Sequence, residues 1–366
     1  MKSKQQTCQR DTGFCSTAAG PEQRPLVIPI FIPHSGCPHQ CAFCNQTLIT
    51  NEKHPLPDRE SIADQAAKYL GFRGKRKKVQ LAFFGGTFLG LEKKQVQALL
   101  ESGQRLVDRG LIDSMRFSTR PDTITKETLD FLAPYSVETI ELGAQSMDDR
   151  VLGRSKRGHT ALCTREAAGL LNEYRYETGL QLMTGLPGEN RTTALASATA
   201  AAALLPDFVR IYPLTILNKS LIHRWFAEKS FTPLSLDDCV TRVKELFLIF
   251  AEKKIPVIRM GLQASEVLEG EEAIVAGPWH PAFGHLVFSE IFLDKTLELL
   301  EKRASTLTGD SVTVWVNPVS LSRLRGDKNR NVKTIKRIYP GLRLHIKTDR
   351  ELAPEQITIT AHRSGF

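Results

Sequence analysis

Short apolar runs rich in β-branched residues alternate with longer amphipathic segments over residues 25–262 of this 366-residue chain. Apolar runs separated by helical segments are typical of strands buried on both faces of a parallel sheet. The predicted strands cover residues 25–32, 79–84, 114–119, 137–143, 179–185, 208–214 and 256–262. Helices are predicted at about 58–70, 92–107, 125–133, 161–174, 192–205 and 236–252. The alternation predicts an α/β fold, a full or partial (β/α)6 TIM-like barrel.

Polar or glycine-rich segments follow the first six predicted strands. In chain order these segments are CPHQC, GGTF, RPD, AQS, GLPGE and LTILNKS. The carboxyl ends of barrel strands meet at one face, where catalytic residues collect. We therefore expect the six segments to build a single site.

The composition is that of a globular protein, with 41% hydrophobic and 24% charged residues. No apolar run approaches the length of a membrane span. Residues 1–24 are polar and lack the apolar segment of a secretory signal, so we expect a disordered leader and a cytoplasmic protein. The net charge is +9, and residues 311–366 hold 11 Lys and Arg against 4 Asp and Glu. This concentration indicates a segment that faces a polyanion.

The pattern changes after about residue 270. Residues 263–310 are predicted to form a loop and a helix that close the barrel, and residues 311–366 a separate basic α+β unit. Five side chains near the mouth could face a substrate: Arg259, Gln263, Trp279, His280 and His285. Trp279 could equally be a core residue, and the histidines could cap loops.

Three of the seven cysteines lie within eight residues, as Cys37, Cys41 and Cys44 in the loop after the first predicted strand. Thiolates at this spacing suit zinc or an iron–sulfur cluster, whereas a disulfide framework would spread its pairs along the chain. Zinc would need a fourth ligand, which His34 or His39 could supply. The remaining cysteines are expected to take no part: Cys8, Cys15, Cys163 and Cys239.

The cysteine loop resembles the signature of the radical S-adenosylmethionine (SAM) superfamily. In that family three cysteines hold three irons of a 4Fe–4S cluster, and the fourth iron binds the amino and carboxylate groups of SAM. The resemblance continues, in order, at the later strand ends and covers about residues 25–260. Residues 140–160 closely resemble two branches, the radical-SAM half of the Elongator catalytic subunit and oxygen-independent coproporphyrinogen oxidase.

The resemblance implies a set of SAM contacts: Gly85, Gly86, Thr87, Gln145, Arg157 and Gln181. Gln145 would contact the ribose and Arg157 the carboxylate, although Arg157 could instead be a solvated member of the basic run RSKR. Gln181 stands where the coproporphyrinogen enzymes carry an aspartate for the ribose hydroxyls. Tyr212 would neighbour the adenine or the substrate, or be a core tyrosine at the barrel rim.

The implied activity is reductive cleavage of SAM to a 5′-deoxyadenosyl radical, which abstracts hydrogen from a substrate. A reductant protein such as flavodoxin or ferredoxin is implied as a partner, with no prediction of the oligomeric state. We expect no acetyltransferase domain, because no glycine-rich acetyl-CoA loop follows Leu262. Two alternatives stay open. One is a radical SAM enzyme acting on a small molecule, like coproporphyrinogen oxidase, and the other is a non-catalytic zinc- and RNA-binding protein.

Residues 311–366 have the predicted element order of a KH RNA-binding module, whose GXXG loop clamps the nucleic-acid backbone. Gly326 takes the first glycine position and Asn329 the second, where asparagine tolerates a left-handed backbone. The candidate phosphate-binding residues are Arg323, Arg325, Lys328, Arg330 and Lys333. The pattern favours an RNA substrate, tRNA in particular, and the alternative is an accessory unit whose charges are merely solvated.

Overall fold

The computed structural model describes residues 25–32, 37, 40–45, 56–262, 273–303 and 311–362. These residues form two compact units, one extending to Gly284 and the other beginning at His285. Each unit has its own sheet.

The first unit is built on a seven-stranded, all-parallel sheet. Its strands, with a further pair, are β1 (Leu26–Ile32), β2 (Val79–Gly85), β3 (Ser114–Thr119), β4 (Val137–Gln145), β5 (Glu177–Thr184), β6 (Phe208–Pro213), β7 (Ile216–Leu217), β8 (Val257–Met260) and β9 (Ile274–Ala276). The spatial order β1-β2-β3-β4-β5-β6-β8 follows the chain, while β7 and β9 form a separate antiparallel pair. The sheet thus confirms the predicted α/β partial barrel, and each of its seven strands corresponds to a predicted strand.

Eight helices are described in this unit: α1 (Arg59–Leu70), α2 (Lys93–Asp108), α3 (Lys126–Leu132), α4 (Asp149–Arg154), α5 (Ala161–Glu173), α6 (Arg191–Ala202), α7 (Leu221–Ala227) and α8 (Leu236–Glu252). Their sequences carry start signals; Ser235, for example, accepts the N–H of Asp238 at the start of α8. The buried residues Val96, Leu99 and Leu100 of α2 recur at helical spacing. None of the helices in the described part of the chain has the length and apolarity needed to cross a membrane.

Stacked aromatic rings fix the segment that follows β2. The ring of Phe88, in the turn after this strand, lies 5.0 Å from that of Phe83 and 4.4 Å from that of Phe117, centroid to centroid. All three side chains are fully buried. Stacking and burial of this kind hold a loop against its sheet. The GGTF segment is therefore anchored at its carboxyl end by the core.

Gly85 ends β2 in a conformation that requires glycine. Its φ is +124°, and an added Cβ would lie 2.2 Å from the carbonyl oxygen of Ile32 on β1. Contact within the sheet thus explains this glycine without reference to a ligand.

A Gly85→Ala variant is expected to lose at least about 2 kcal/mol of unfolding free energy, because backbone strain and a clash coincide. Chemical denaturation measures the change. Gly169→Ala is the control, since this helical glycine has no atom within 4 Å of its added Cβ. That variant should be neutral or gain up to about 1 kcal/mol. Equal stability of the two variants would contradict the explanation.

The second unit contains one long helix packed on a small sheet. The long helix is α9 (Phe283–Arg303), whose first two residues precede the unit boundary. The other elements are β10 (Ser311–Val316), α10 (Leu321–Arg325), α11 (Arg330–Ile338), β11 (Arg343–Thr348) and β12 (Ile357–His362). Strand β10 is central, parallel to β11 and antiparallel to β12. From β10 onward the order is strand, helix, turn, helix, strand, strand, as the sequence predicts.

The structure draws one boundary differently from the sequence. The sequence predicts this helix within the segment 263–310 that closes the barrel, whereas Phe292 and Leu300 of α9 lie in one core with Val314 and Ile335. The C-terminal unit therefore begins at His285 and includes most of this helix. The apolar face of α9 explains this boundary, because a small sheet must bury its apolar face against another element, and α9 packs there.

Candidate active site at the carboxyl edge of the sheet

The cysteine loop is fastened to two later segments of the first unit. The Ala42 N–H donates to the carbonyl of Ser155 at 2.9 Å, and the Ile222 N–H donates to the carbonyl of Ala42 at 2.9 Å. Ser155 caps the end of α4, and Ile222 lies in the first turn of α7. Cys41, the residue before Ala42, is buried. Backbone bonds therefore hold the loop at the carboxyl edge of the sheet.

Two of the cysteines contact side chains that the sequence analysis assigned to SAM. Cys37 Sγ lies 2.9 Å from Thr87 Oγ1 in the segment after β2. Arg157 Nη1 donates to Cys41 Sγ at 3.3 Å. Residues 50 and 116 positions apart in the chain thus come together at one edge. This is the convergence of strand ends that the sequence predicts.

The donor chemistry of the loop suits an iron–sulfur cluster. Cys37, Cys41 and Cys44 are cysteines within one short loop, and none of the five cysteines in the described ranges forms a disulfide. The same ranges contain no group of three His, Cys, Asp or Glu side chains gathered closely enough to hold a metal ion. Ligation of a cluster by these cysteines therefore stays a prediction. The candidate zinc ligands His34 and His39 lie outside the described residues.

Arg157 is buried, which excludes the interpretation of a solvated member of a basic run. Its side chain is 8% exposed, while its neighbours Arg154 and Lys156 are exposed. Nη2 donates to the Gly143 carbonyl at 2.7 Å, and Nε donates to His159 Nε2 at 3.1 Å. No carboxylate in the described ranges lies within ion-pair distance of this guanidinium. A buried cation without an anion is costly, so this position suits a negatively charged ligand or thiolate.

Arg120 and His159 position Arg157, and the sequence analysis missed both. Arg120 is fully buried, forms a two-point ion pair with Asp122 at 2.8 and 2.9 Å, and donates to the Arg157 carbonyl at 2.6 Å. Burial and the Arg157 charge lower the pKa of His159 to about 4, so it is neutral near pH 7. Because Nε2 accepts from Arg157, we assign the ring proton to Nδ1, which donates to the Thr160 carbonyl at 3.2 Å. The RPD segment after the third predicted strand was the feature of the sequence that could have pointed to Arg120.

Gln145 is held in an unusual backbone conformation at the end of β4. Its φ is +66° and the residue is 9% exposed. The pairing of β4 with β5 shifts register between Leu142 and Gln145. A left-handed backbone is strained for glutamine, and such strain gathers at ligand sites. The strained backbone supports Gln145 as a residue of the site, and its contact with the SAM ribose stays a prediction.

Gln181 lies deeper in the sheet, with charged neighbours. Its Nε2 donates to Ser118 Oγ at 3.0 Å and to Glu141 Oε2 at 3.0 Å. Glu141 is completely buried and ion-paired to Arg116 and Arg210. The sequence analysis assigned no role to these charges, although a charged residue inside an otherwise apolar strand is a signal of one. In the structure Gln181 belongs to this group of side chains.

The remaining candidates near the mouth have different surroundings. Tyr212 is half-buried, and burial of its hydroxyl raises its pKa. His280 caps a loop, because its Nδ1 accepts the N–H of Ala282 at 3.1 Å. The indole N–H of Trp279 is buried with no hydrogen-bond partner in the described ranges. Gln263 lies outside those ranges, and His285 belongs to the second unit.

A basic groove of about 530 Å³ lies on the second unit. Its lining residues are Asp327, Lys328, Arg330, Lys333, Thr334 and Arg337. Arg323 is not among them, since its guanidinium packs over the ring of Phe288 at 4.3 Å, and Arg325 is exposed nearby. Three of the five predicted phosphate-binding residues are thus brought together, and Arg337 joins them.

The turn beside this groove has the backbone that the sequence analysis expected. Gly326 has a φ of +72°, and an added Cβ would lie 2.7 Å from Asn331 Oδ1. Asn329 is left-handed with φ 60° and ψ 31°. Asparagine therefore fills this position with the conformation for which it is suited.

Family comparisons agree with the geometry of the first unit. Residues 31–199 match the family described as "Radical SAM superfamily", and residues 206–292 match the "Radical_SAM C-terminal domain". Protein YhcC of Escherichia coli strain K12 is 26% identical over 212 residues, covering 56% of this chain and 66% of that protein. The tRNA uridine(34) acetyltransferase of Dehalococcoides mccartyi strain CBDB1 is 24% identical over 230 residues, covering 54% of this chain and 50% of that protein. The chain thus spans less than two thirds of the length of either relative.

A solved structure shares the fold. The archaeal Methanocaldococcus infernus Elp3 with an N-terminal deletion superposes with a TM-score of 0.56 at 20% identity. The superposition covers 75% of this chain and 64% of that chain. At this identity the likeness concerns the fold.

Proposed function

The chain belongs to the radical SAM superfamily, and on that premise we propose that it is an enzyme that binds a 4Fe–4S cluster and SAM at the candidate active site. When bound, these groups supply one-electron reductive cleavage of SAM to a 5′-deoxyadenosyl radical, which removes hydrogen from a substrate. The observation that carries the proposal is the buried Arg157 guanidinium beside Cys41, which has no carboxylate partner in the described ranges.

The chain's own residues would bind and orient these groups. Cys37, Cys41 and Cys44 would hold the cluster as thiolates, and Arg157 would stabilise negative charge on Cys41 or on the SAM carboxylate. Further SAM contacts would come from residues at neighbouring strand ends: Gly85, Gly86, Thr87, Gln145 and Gln181. A reductant protein such as flavodoxin or ferredoxin would deliver the electron, and the cytoplasm would provide the reducing surroundings.

Anaerobic reconstitution with iron and sulfide tests the cofactor. We expect a brown protein with about four irons and four sulfides per chain, as a 4Fe–4S cluster requires. A colourless preparation that retains zinc would support the zinc-binding alternative and overturn the proposal.

We propose RNA, tRNA in particular, as the substrate class. The support comes from the basic groove on the second unit and from the likeness to the D. mccartyi tRNA uridine(34) acetyltransferase. Lys and Arg lining one groove are suited to successive phosphates of a nucleic-acid backbone.

A Lys333→Ala/Arg337→Ala protein is expected to bind tRNA several-fold more weakly than wild type. Because two phosphate contacts would be lost, the slope of log affinity against log salt should fall by about two. Fluorescence anisotropy at several salt concentrations measures both quantities. The control is Lys68→Ala/Lys94→Ala, which removes two exposed helical cations from the first unit. Equal losses in the two variants, or no tRNA binding by a cluster-loaded wild type at low salt, would sink the proposal.

A further inference from the structure

A layer of polar side chains crosses the middle of the seven-stranded sheet. Its members come from six strands: Gln80, Arg116, Ser118, Glu141, Gln181, Arg210 and Arg259. Successive hydrogen bonds connect most of them, from Gln80 through Arg116 to Glu141, and from there to Gln181 and Arg210. Charged groups are rarely placed inside a sheet unless they are paired or used, so the balance of charge in this layer is informative.

Glu141 is the shared acceptor of the layer. Arg116 Nη2 donates to Glu141 Oε1 at 2.5 Å, and Arg210 Nη2 donates to the same oxygen at 3.1 Å. Arg210 Nε lies 2.7 Å from Oε2 without the alignment of a hydrogen bond. The two arginines hold the pKa of Glu141 below its usual value despite complete burial, so this side chain is a carboxylate.

The positive charges of Arg116 and Arg210 outnumber the single negative charge of Glu141. Arg116 is 5% exposed, and its Nε is buried with no hydrogen-bond partner among the residues that the structure describes. The nearby Glu138 does not offset the excess, since it pairs with Lys78 at 2.5 Å. One positive charge therefore remains in a buried layer, where an unmatched charge is costly.

Arg259 adds a second unmatched charge. It stands on β8 directly opposite Arg210 on β6, and it is half-buried. In the described part of the chain it has neither a hydrogen bond nor an ion pair. Burial and the like charge of Arg210 lower its pKa, although arginine stays protonated at neutral pH. A long cationic side chain that has no partner among the described residues is available to a ligand.

The geometry points to an oxyanion site in which Arg259 and Arg210 bind a phosphate or carboxylate group of the substrate. An oxyanion would satisfy both the excess charge and the unused N–H groups, since guanidinium recognises such groups through paired hydrogen bonds. Arg116, Glu141 and Arg210 could by themselves form a structural triad, since such triads occur in protein interiors. Arg259 is the member that a structural triad does not explain, because it has no hydrogen bond or ion pair with the residues that the structure describes.

The position of this site relative to the SAM contacts fits a substrate anchor. Glu141 precedes Gly143 by two residues on β4, and the Gly143 carbonyl accepts from Arg157. Two residues of a strand span roughly 7 Å, so the Glu141 level of the sheet lies next to the level of the SAM contacts, and Arg210 and Arg259 stand two and three strands from β4. This step rests on the proposed function, whereas anion binding itself does not.

The test measures anion binding directly. The reconstituted full-length protein, carrying Lys333→Ala/Arg337→Ala to weaken the groove on the second unit, is titrated with inorganic phosphate and separately with acetate at constant ionic strength. We expect calorimetry to detect binding of one of the anions, and the preferred anion distinguishes a phosphate ester from a carboxylate. Adding Arg259→Gln should weaken binding roughly tenfold or more, and Arg259→Lys should weaken it less.

The matched control is Arg165→Gln, an exposed arginine on α5. It should leave the anion affinity unchanged. Failure of both anions to bind, or equal affinities in the Arg259→Gln and Arg165→Gln proteins, would overturn the site. Because no step of the titration requires SAM cleavage, this failure is distinguishable from failure of the proposed enzyme activity.

Discussion

Replacing Cys41 with alanine is expected to abolish both the visible absorbance of the reconstituted protein and its formation of 5′-deoxyadenosine. Three thiolates are the minimum set for the cluster, and Cys41 is the one whose sulfur accepts a hydrogen bond from buried Arg157. Loss of a ligand should lower product formation more than about 100-fold, beyond the effect of losing a supporting residue. Iron content, absorbance and chromatographic detection of the nucleoside check the three parts of this expectation.

Cys163→Ala is the matched control. Cys163 is half-buried on α5 and contacts Thr160 instead of the cysteine loop. This variant should keep iron, colour and product at wild-type levels. A Cys41→Ala protein that still forms 5′-deoxyadenosine would remove the cysteine loop from the reaction.

Replacing Arg157 with alanine is expected to lower SAM cleavage by about 10- to 100-fold, as loss of a charged supporting residue does. The variant also leaves the Gly143 carbonyl and His159 Nε2 without their donor, at a cost on the order of 3 kcal/mol of unfolding free energy. Product formation and chemical denaturation measure the two effects. Arg154→Ala, an exposed neighbour in the same basic run, should change neither much.

The pKa of His159 gives this variant a second readout. Its folded-state pKa of about 4 lies below its ordinary value of 6.5, so protons bind preferentially to the unfolded chain. Wild-type stability should therefore fall as the pH drops from 6.5 towards 4. Without the Arg157 charge the pKa of His159 should rise, and this part of the acid destabilisation should shrink. An unchanged pKa, followed by NMR, would contradict the assigned contact.

Much of the first unit could be predicted from the sequence because its strands are buried on both faces. Such strands appear as uninterrupted apolar runs, and the helices between them carry clear periodicity. The pair β7 and β9 was missed, since two and three residues are too few to show a pattern. The short helices α4 and α7 were missed for the same reason. The core that α9 joins was not predicted, because an amphipathic helix does not reveal which core it packs against.

The candidate site was predicted in part. The cysteine spacing and the ordered strand-end segments located the edge of the sheet correctly, and Thr87 and Arg157 do lie beside the cysteines. The burial of Arg157 could not be predicted, because a run of basic residues is usually solvated. The pairing of Glu141 with Arg116 and Arg210 depends on strand register, which the sequence does not specify.

Reductive cleavage of SAM by the wild-type chain distinguishes a radical SAM enzyme from a protein that only binds a cluster. The reconstituted protein is mixed anaerobically with SAM and dithionite, and 5′-deoxyadenosine and methionine are quantified over time. We expect both products to accumulate in equal amounts and neither to form without iron or reductant. A brown, iron-loaded protein that yields no 5′-deoxyadenosine would overturn the proposed activity and indicate a scaffold that binds a cluster without using it.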